Sequence, residues 1–455
     1  MQDVDVVVIG LGVGGEEAAG RLAEAGLDVV GVEARLVGGE CPYYACVPTK
    51  MMIRAADALA EARRVRELAG SAQVQADWGP VAARVRDEAT DDWDDTVAVR
   101  RLEAKGGRVV HGHARITAPG EVTVSTADGG ELAFRARRGI VLNPGTEPAV
   151  PPVDGLADTP HWTNREAVAV KVVPESLVVL GGGPVGCEFA QVFARFGASV
   201  TVVELFDRLL PGDEPEAGAL LGTVFGREGI DVRTGVTVKR VTHDGGTFTL
   251  DLGDETIGAA QLLVATGRRT DLAALGVGAV GIDESAKGIQ VDGRMRAAEG
   301  VWAIGDVTGK GAFTHTSMYQ GRIAAADILG DGTEAADYRA MPRVTFTDPE
   351  IGAVGLTEAA ARNEGLPVRV GRTELPSSSR GWIHKVGNDG FVKLIEDASR
   401  GVLVGATSAG PCGGEVLGAL AVAVHGEVPT ARLRTMIYAY PTFHRAIEAA
   451  LDDLR

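Results

Sequence analysis
The sequence has no run of about 18 apolar residues, no excess of basic charge and only four cysteines, and each scarcity excludes something. Without such a run no membrane-spanning helix is expected. Lys and Arg number 45 against 62 Asp and Glu, a formal net charge of -17. That balance repels phosphate backbones, so nucleic acid is not an expected partner. Four cysteines are too few for a secreted disulfide framework. The opening MQDVDVVVIG passes directly into a strand pattern, with no basic n-region, apolar h-region or cleavage site, and a cytoplasmic location is expected. Low-complexity linkers are also missing, which predicts tightly packed domains. At roughly 150 residues per domain, a chain of 455 residues suggests about three.

Two of the cysteines, Cys41 and Cys46, lie in GGECPYYACVPTK, residues 38–50. In a reducing compartment a close pair is more often catalytic or metal-binding than structural, so redox and metal readings both stand at this point. The segment VDVVVIGLGVGGEEAAGRLAEAGLDVVGVEA reads as strand, glycine turn, amphipathic helix and second strand ending in Glu33. Gly10, Gly12 and Gly15 form GxGxxG: the first permits the tight turn, the second lets backbone approach a pyrophosphate, and the third brings helix against strand. Glu33 is placed to accept hydrogen bonds from a ribose. The pattern returns in SLVVLGGGPVGCEFAQVFARFGASVTVVE, with Gly181, Gly183 and Gly186 followed by Glu204. Two dinucleotide sites suggest electron traffic between two cofactors. Between them, VTVSTADGGELAFRARRGIVLNPGTEP alternates as a β-meander does and predicts a connecting sheet. A helix is expected from about Thr316 to Leu329. Beyond Ala340 the pattern suggests a separate α+β domain.

The chain resembles the pyridine nucleotide-disulfide oxidoreductases, the flavoprotein family of glutathione reductase, dihydrolipoamide dehydrogenase and mercuric reductase. The resemblance runs nearly end to end: the first GxGxxG with Glu33, GGECPYYACVPTK, GGGPVGCE, ATGRRTD, AIGD and TDPEIGAVGLTE. It implies an α/β fold with two Rossmann-like dinucleotide-binding domains and a C-terminal α+β dimerisation domain. The implied bounds are 1–150 and 271–337 for FAD, 151–270 for NAD(P), and 338–455 for dimerisation as a homodimer. Gly145, Gly267 and Gly305 join the cofactor-binding set, and Asp306 matches the ligand of the flavin ribityl chain. Cys46 becomes the thiol beside the flavin and Cys41 the thiol that exchanges with substrate. Lys50 matches the lysine beside the flavin ring and Glu188 its carboxylate partner.

Residues five apart on a straight helix have Cα atoms about 8.6 Å distant, beyond the roughly 6.8 Å limit of a disulfide. Pro42 and Pro48 predict irregular backbone that allows closure. Cys187 and Cys412 read as small packing residues, and no metal site is expected. Glu204 favours NADH, with NADPH as the alternative because Arg208 follows four residues on.

Several positions depart from the family. In YAYPTFHRAIEAAL, Tyr440 occupies the place of the usual histidine and Arg445 that of the usual glutamate. A tyrosine, with a reference pKa of about 10, is no base near neutral pH unaided. Thr442 as N-cap puts Arg445 at the third helical position, facing the positive end of the helix, and this hints at an anionic partner. His444 is the nearest replacement base, with Glu448 one turn beyond to orient it. Tyr43 and Tyr44 are open to two uses, lining an aromatic substrate pocket or packing against the flavin domain. Glu40 replaces a threonine.

The expected activity is therefore that of an FAD-dependent, NADH-preferring oxidoreductase. A redox-active Cys41/Cys46 disulfide passes electrons between nicotinamide and a small-molecule disulfide, dithiol or related acceptor. The rival readings are a mercuric-reductase-like metal reductase, a diaphorase or quinone reductase, a dithiol oxidase, and a non-enzymatic redox-sensing flavoprotein.

Overall fold
A computed structural model describes residues 1–331 and 334–455. These divide into two compact units: Met1–Pro48 with Ala83–Ala149 and Arg268–Asp337, and Thr49–Ala82 with Val150–Gly267 and Tyr338–Arg455.

In the first unit β1 (Gln2–Ile9), α1 (Val13–Glu24) and β2 (Val29–Glu33) form the expected βαβ element. The short helix α2 (Glu40–Tyr43) follows, then α3 (Cys46–Leu68), within which the chain passes to the second unit. Next come β3 (Arg108–Ala118), β4 (Glu121–Thr126) and β5 (Glu131–Leu142). The expected meander is present, but it is continuous with the parallel sheet of this unit. β3, β4 and β5 do pair antiparallel, but the C-terminal part of β5 runs parallel to β1 and to the strand Val301–Ala303. The parallel order is thus β3-β2-β1-β5 and then Val301–Ala303, a doubly wound sheet. Length explains the difference, because 12 residues let β5 serve the meander at one end and the parallel sheet at the other. Its burial changes along the strand accordingly, from half exposed to continuously buried over Ile140–Leu142. α1 packs on the helix Thr314–Leu329 through small residues. A Cβ on Gly321 would lie 2.6 Å from the Gly14 carbonyl oxygen.

In the second unit β6 (Ser176–Leu180), α4 (Pro184–Arg195) and β7 (Ser199–Val203) repeat the βαβ element. With β8 (Asp231–Arg233) and β9 (Gln261–Val264) they form a parallel sheet of order β9-β6-β7-β8. The residues from 342 onward supply a five-stranded antiparallel sheet covered by the helices Gly413–His425 and Ala446–Asp452. This is the α+β arrangement the sequence pattern predicts. No helix among the described residues is long and apolar enough to cross a membrane.

Candidate active site
The first glycine turn is held by a residue from β5. Asn143, 5% exposed, donates from Nδ2 to the carbonyls of Gly10 and Gly12, and its Oδ1 accepts from Ser317. Gly10 has φ +88, and a Cβ there would lie 2.1 Å from the Asn143 carbonyl oxygen, so only glycine fits. Gly12 caps α1, and Gly15 lies so close to Gly10 that a Cβ would reach 2.0 Å from its carbonyl oxygen. The Glu33 carboxylate accepts from the backbone of Leu11 at 2.7 Å and of Arg35 at 2.9 Å. Burial raises its pKa, and those two amides oppose the rise. Gly145, Gly305 and Asp306 are each held by a polar side chain of the same unit. Thr146 Oγ1 donates to Asp306 Oδ2 at 2.6 Å, Thr270 Oγ1 to the Gly145 carbonyl at 2.9 Å, and Gly305 N–H to Gln320 Oε1 at 2.6 Å.

The second turn is built the same way from different residues. Glu204, 6% exposed, accepts from the amides of Gly182 and Phe206, one on each oxygen. These match Leu11 and Arg35 around Glu33 in spacing and in role. A Cβ on Gly186 would lie 2.0 Å from the Gly181 carbonyl oxygen, while Gly183 caps α4 with open space beside it. Gly267 likewise faces open space. Both turns fit a dinucleotide: each joins glycines, a helix N-terminus and a buried carboxylate with lone pairs to spare for a ribose.

Cys41 is on α2 and Cys46 opens α3, both half-buried. Tyr44 and Ala45 break the backbone between the two helices, as the prolines predict: Tyr44 ends α2 with φ -135 and ψ -2. Cys46 Sγ lies 3.4 Å from Thr314 Oγ1. Lys50, one turn further along α3, forms a 2.8 Å ion pair with Glu188 on α4. Phe346 completes that contact, donating its backbone N–H to Glu188 Oε1 at 2.9 Å and presenting its ring 4.7 Å from Lys50 Nζ.

The C-terminal residues differ from expectation. The last helix starts at Ala446, so Arg445 is its N-cap rather than its third residue, and Thr442 Oγ1 turns back to the Ala439 carbonyl. Arg445 is bonded to the Tyr438 carbonyl at 3.2 Å and paired with Glu448 at 2.8 Å, which removes the hint of an anionic partner. Glu448 is thereby engaged away from His444, whose Nε2 is 3.4 Å from Thr442 Oγ1. Tyr440 is 68% exposed, with the Arg445 guanidinium 5.6 Å from its ring. Cys187 is fully buried and donates to the Gly182 carbonyl at 3.2 Å. Cys412, read as a packing residue, is instead exposed at the N-cap of Gly413–His425. Among the described residues no group of three or more His, Cys, Asp or Glu is arranged to hold a metal ion.

Sequence reasoning missed Asn143, Thr146, Thr314 and Phe346. Their partners lie more than 100 residues away, and single polar or aromatic residues at strand and helix ends carry no periodic signal.

Comparison with known proteins agrees with this geometry. Residues 4–321 match the pyridine nucleotide-disulphide oxidoreductase family, and residues 341–451 match its dimerisation domain. Dihydrolipoyl dehydrogenase of Chlorobaculum tepidum is 34% identical over 99% of this chain and 97% of its own length. Mercuric reductase of Streptomyces lividans is 32% identical over 98% and 95%. Among solved structures, the Cu(II) complex of the HOCl-induced flavoprotein disulfide reductase RclA from Escherichia coli superposes with a TM-score of 0.87. It is 26% identical over 99% of both chains.

Proposed function
The chain belongs to the pyridine nucleotide-disulphide oxidoreductases, as an FAD-dependent enzyme with a nicotinamide nucleotide as second cofactor and a dimerisation domain that supports a homodimer, and from that premise we propose that it is an NADH-preferring reductase whose Cys41/Cys46 pair passes electrons to a small-molecule disulfide. The observation that carries this reading is the placement of Cys46 at the first residue of α3 with the Lys50–Glu188 pair one turn along.

FAD would be held by Gly10, Gly12, Gly15, Glu33, Gly145, Gly305 and Asp306, and the nicotinamide nucleotide by Gly181, Gly183, Gly186, Glu204 and Gly267. When bound, the two supply hydride and electron-pair transfer. Two electrons and two protons convert the disulfide to two thiols. Cys46 stands at the positive end of a 23-residue helix and beside Thr314 Oγ1, a position where a helix terminus favours negative charge. Cys41 attacks one sulfur of the acceptor disulfide, forming a mixed disulfide and releasing the first thiolate. Cys46 then attacks Cys41 sulfur, re-forming the internal disulfide and releasing the second. Lys50, ion-paired with Glu188, offers positive potential near the start of α3. Tyr440, on an exposed loop, supplies a hydroxyl where the family has an imidazole, and His444 stands four residues on as the other proton carrier.

A second reading, reduction of a thiol-bound metal ion, draws support from the mercuric reductases among the relatives and from the Cu(II) complex of RclA. Among the described residues Glu448 pairs with Arg445 and not with His444, which favours this reading, because a metal acceptor needs no acid to protonate a leaving thiolate.

An anaerobic NADH titration of the FAD-loaded protein, following the flavin spectrum and counting thiols, tests the first reading. Two new thiols with a long-wavelength thiolate-to-flavin band are expected. Bleaching of the flavin with the disulfide still closed would sink it in favour of a diaphorase or sensor. Turnover with Hg(II) or Cu(II) salts but with no disulfide would select the metal reading.

A further inference from the structure
Within the first unit, the backbone behind the cysteine loop departs from regular geometry twice. Val85–Ala89 is a π-helical turn, and Asp91, Asp92 and Trp93 then follow at φ 49, 54 and 58. A left-handed conformation is unfavourable for an L-residue, so three in succession persist only where surrounding contacts hold them. Two such contacts reach the loop. Trp93 Nε1–H donates to the Tyr43 carbonyl at 3.3 Å, and the Val37 N–H donates to Asp95 Oδ2 at 2.8 Å. Val37 and Tyr43 bracket the stretch that carries Cys41. Tyr43 is 6% exposed, so the side chain that lies between the two cysteines is anchored in the interior.

We infer that residues 91–95 are a clamp on the redox loop, and that Trp93 and Asp95 are positioning residues that shift the Cys41/Cys46 equilibrium toward the disulfide. The inference rests on the reading of that pair as redox-active. Closing the S–S bond requires the end of α2 and the start of α3 to stay within disulfide reach. Only Tyr44 and Ala45 lie between the two helices, and they absorb whatever movement follows reduction. Tethering α2 through the Tyr43 carbonyl, and the approach to α2 through the Val37 amide, restricts the open loop. Less conformational entropy is then lost on closure, which favours the closed form. The strained turn aims the indole and the carboxylate at the two backbone groups that bracket Cys41.

The test uses full-length, FAD-loaded enzyme. Trp93→Phe keeps an aromatic ring and removes the donor; Asp95→Ala removes the acceptor and Asp95→Asn retains one. Each is equilibrated anaerobically across ratios of reduced to oxidised dithiothreitol, alkylated, and its free thiols counted, with FAD content and melting temperature recorded beside. Loss of one hydrogen bond worth about 1 kcal/mol predicts a shift toward the dithiol of about fivefold for Trp93→Phe and Asp95→Ala. Asp95→Asn should shift less, with FAD content unchanged throughout. If Trp93→Phe and Asp95→Ala fold, hold FAD and titrate together with the native enzyme, the clamp is refuted. Should Trp93→Phe not fold, the Asp95 pair decides by the same criterion. A native enzyme whose cysteines never interconvert would refute the redox reading itself, a failure distinct from equal titration of native and variant.

Discussion

Lys50 on α3 and Glu188 on α4 form a 2.8 Å ion pair, and seven residues along both helices Asp57 meets Arg195 at 2.7 Å with the charges reversed. Equal steps along both chains mean that α3 and α4 run side by side in the same direction. Arg195, 4% exposed, also binds Glu228 and Asp348, and Asp348 in turn binds Arg64 further along α3. The helix that begins with Cys46 is thus pinned against α4 at two points and to the 346–348 segment beyond. Reversed polarity makes a shift by one heptad place like charges together, so the pairs set register as well as adding attraction.

Glu188→Gln keeps the shape and the acceptor for the Phe346 amide but leaves Lys50 without its counter-charge. Turnover with a disulfide acceptor is expected to fall roughly tenfold, as for loss of a hydrogen bond between charged groups worth about 1.5 kcal/mol. Lys50→Met should act at least as strongly and lower the flavin midpoint potential. Steady-state kinetics with a spectroelectrochemical titration checks both, and unchanged potentials in both variants would contradict a role for the pair near the flavin.

Two alanine substitutions separate the nucleotide sites. Gly15→Ala forces a Cβ to 2.0 Å from the Gly10 carbonyl oxygen, and Gly186→Ala does the same against Gly181. Overpacking of this kind costs about 1–3 kcal/mol or more. Gly15→Ala is expected to lose most of its FAD. Gly186→Ala should remain yellow but need far more NADH to bleach. Flavin content by absorbance and an NADH titration read the two outcomes, and loss of FAD from Gly186→Ala alone would contradict the assignment.

Coenzyme choice turns on Glu204 and Arg208. The Arg208 guanidinium is tied to the Pro211 carbonyl at 3.0 Å and sits 3.5 Å from Asp207, so it is not poised for a 2′-phosphate. Glu204→Ala is expected to raise the KM for NADH about tenfold, in line with losing a hydrogen bond to a charged group. NADPH should not become the better coenzyme. Initial rates with both coenzymes decide, and a switch to NADPH in the single variant would overturn the argument.

Burial pushes the Asp57 carboxyl up to about 6, against the opposing pull of Arg195. A carboxyl with its folded pKa raised binds more protons folded than unfolded. Its contribution to stability is therefore greatest at low pH and declines as pH rises from about 4 through 6. Asp57→Asn is expected to flatten the pH dependence of the melting temperature across that window. A native curve and a variant curve that run parallel from pH 4 to 7 would show that Asp57 does not titrate there.

The two βαβ elements were legible because strand, turn and helix are local: β-branched runs, GxGxxG spacing and the acid 23 residues after the first glycine lie within 31 and 29 consecutive residues. The break between the cysteines was legible for the same reason, since Pro48 removes a helical N–H. The dual use of β5 was not, because alternation shows that a segment is a strand and says nothing of which neighbours it has at each end. The C-terminal corner misled for a related reason. His444, Arg445 and Glu448 have spacings that permit either residue to take the carboxylate, and Arg445 is paired with it while its guanidinium also binds the Tyr438 carbonyl.

Local order, then, was determined by the sequence alone: two nucleotide-binding turns, a cysteine pair across a helix break and an acid at the end of each second strand, all from short-range sterics and hydrogen bonding. Tertiary structure decided the rest. It brought Asn143 to the first turn, Phe346 to Lys50 and Glu188, Arg195 to three carboxylates, and Trp93 to the back of the cysteine loop. Such contacts join residues from 33 positions apart, for Arg195 and Glu228, to 296, for Lys50 and Phe346. Their energies depend on burial and distance, and neither exists until the chain has folded.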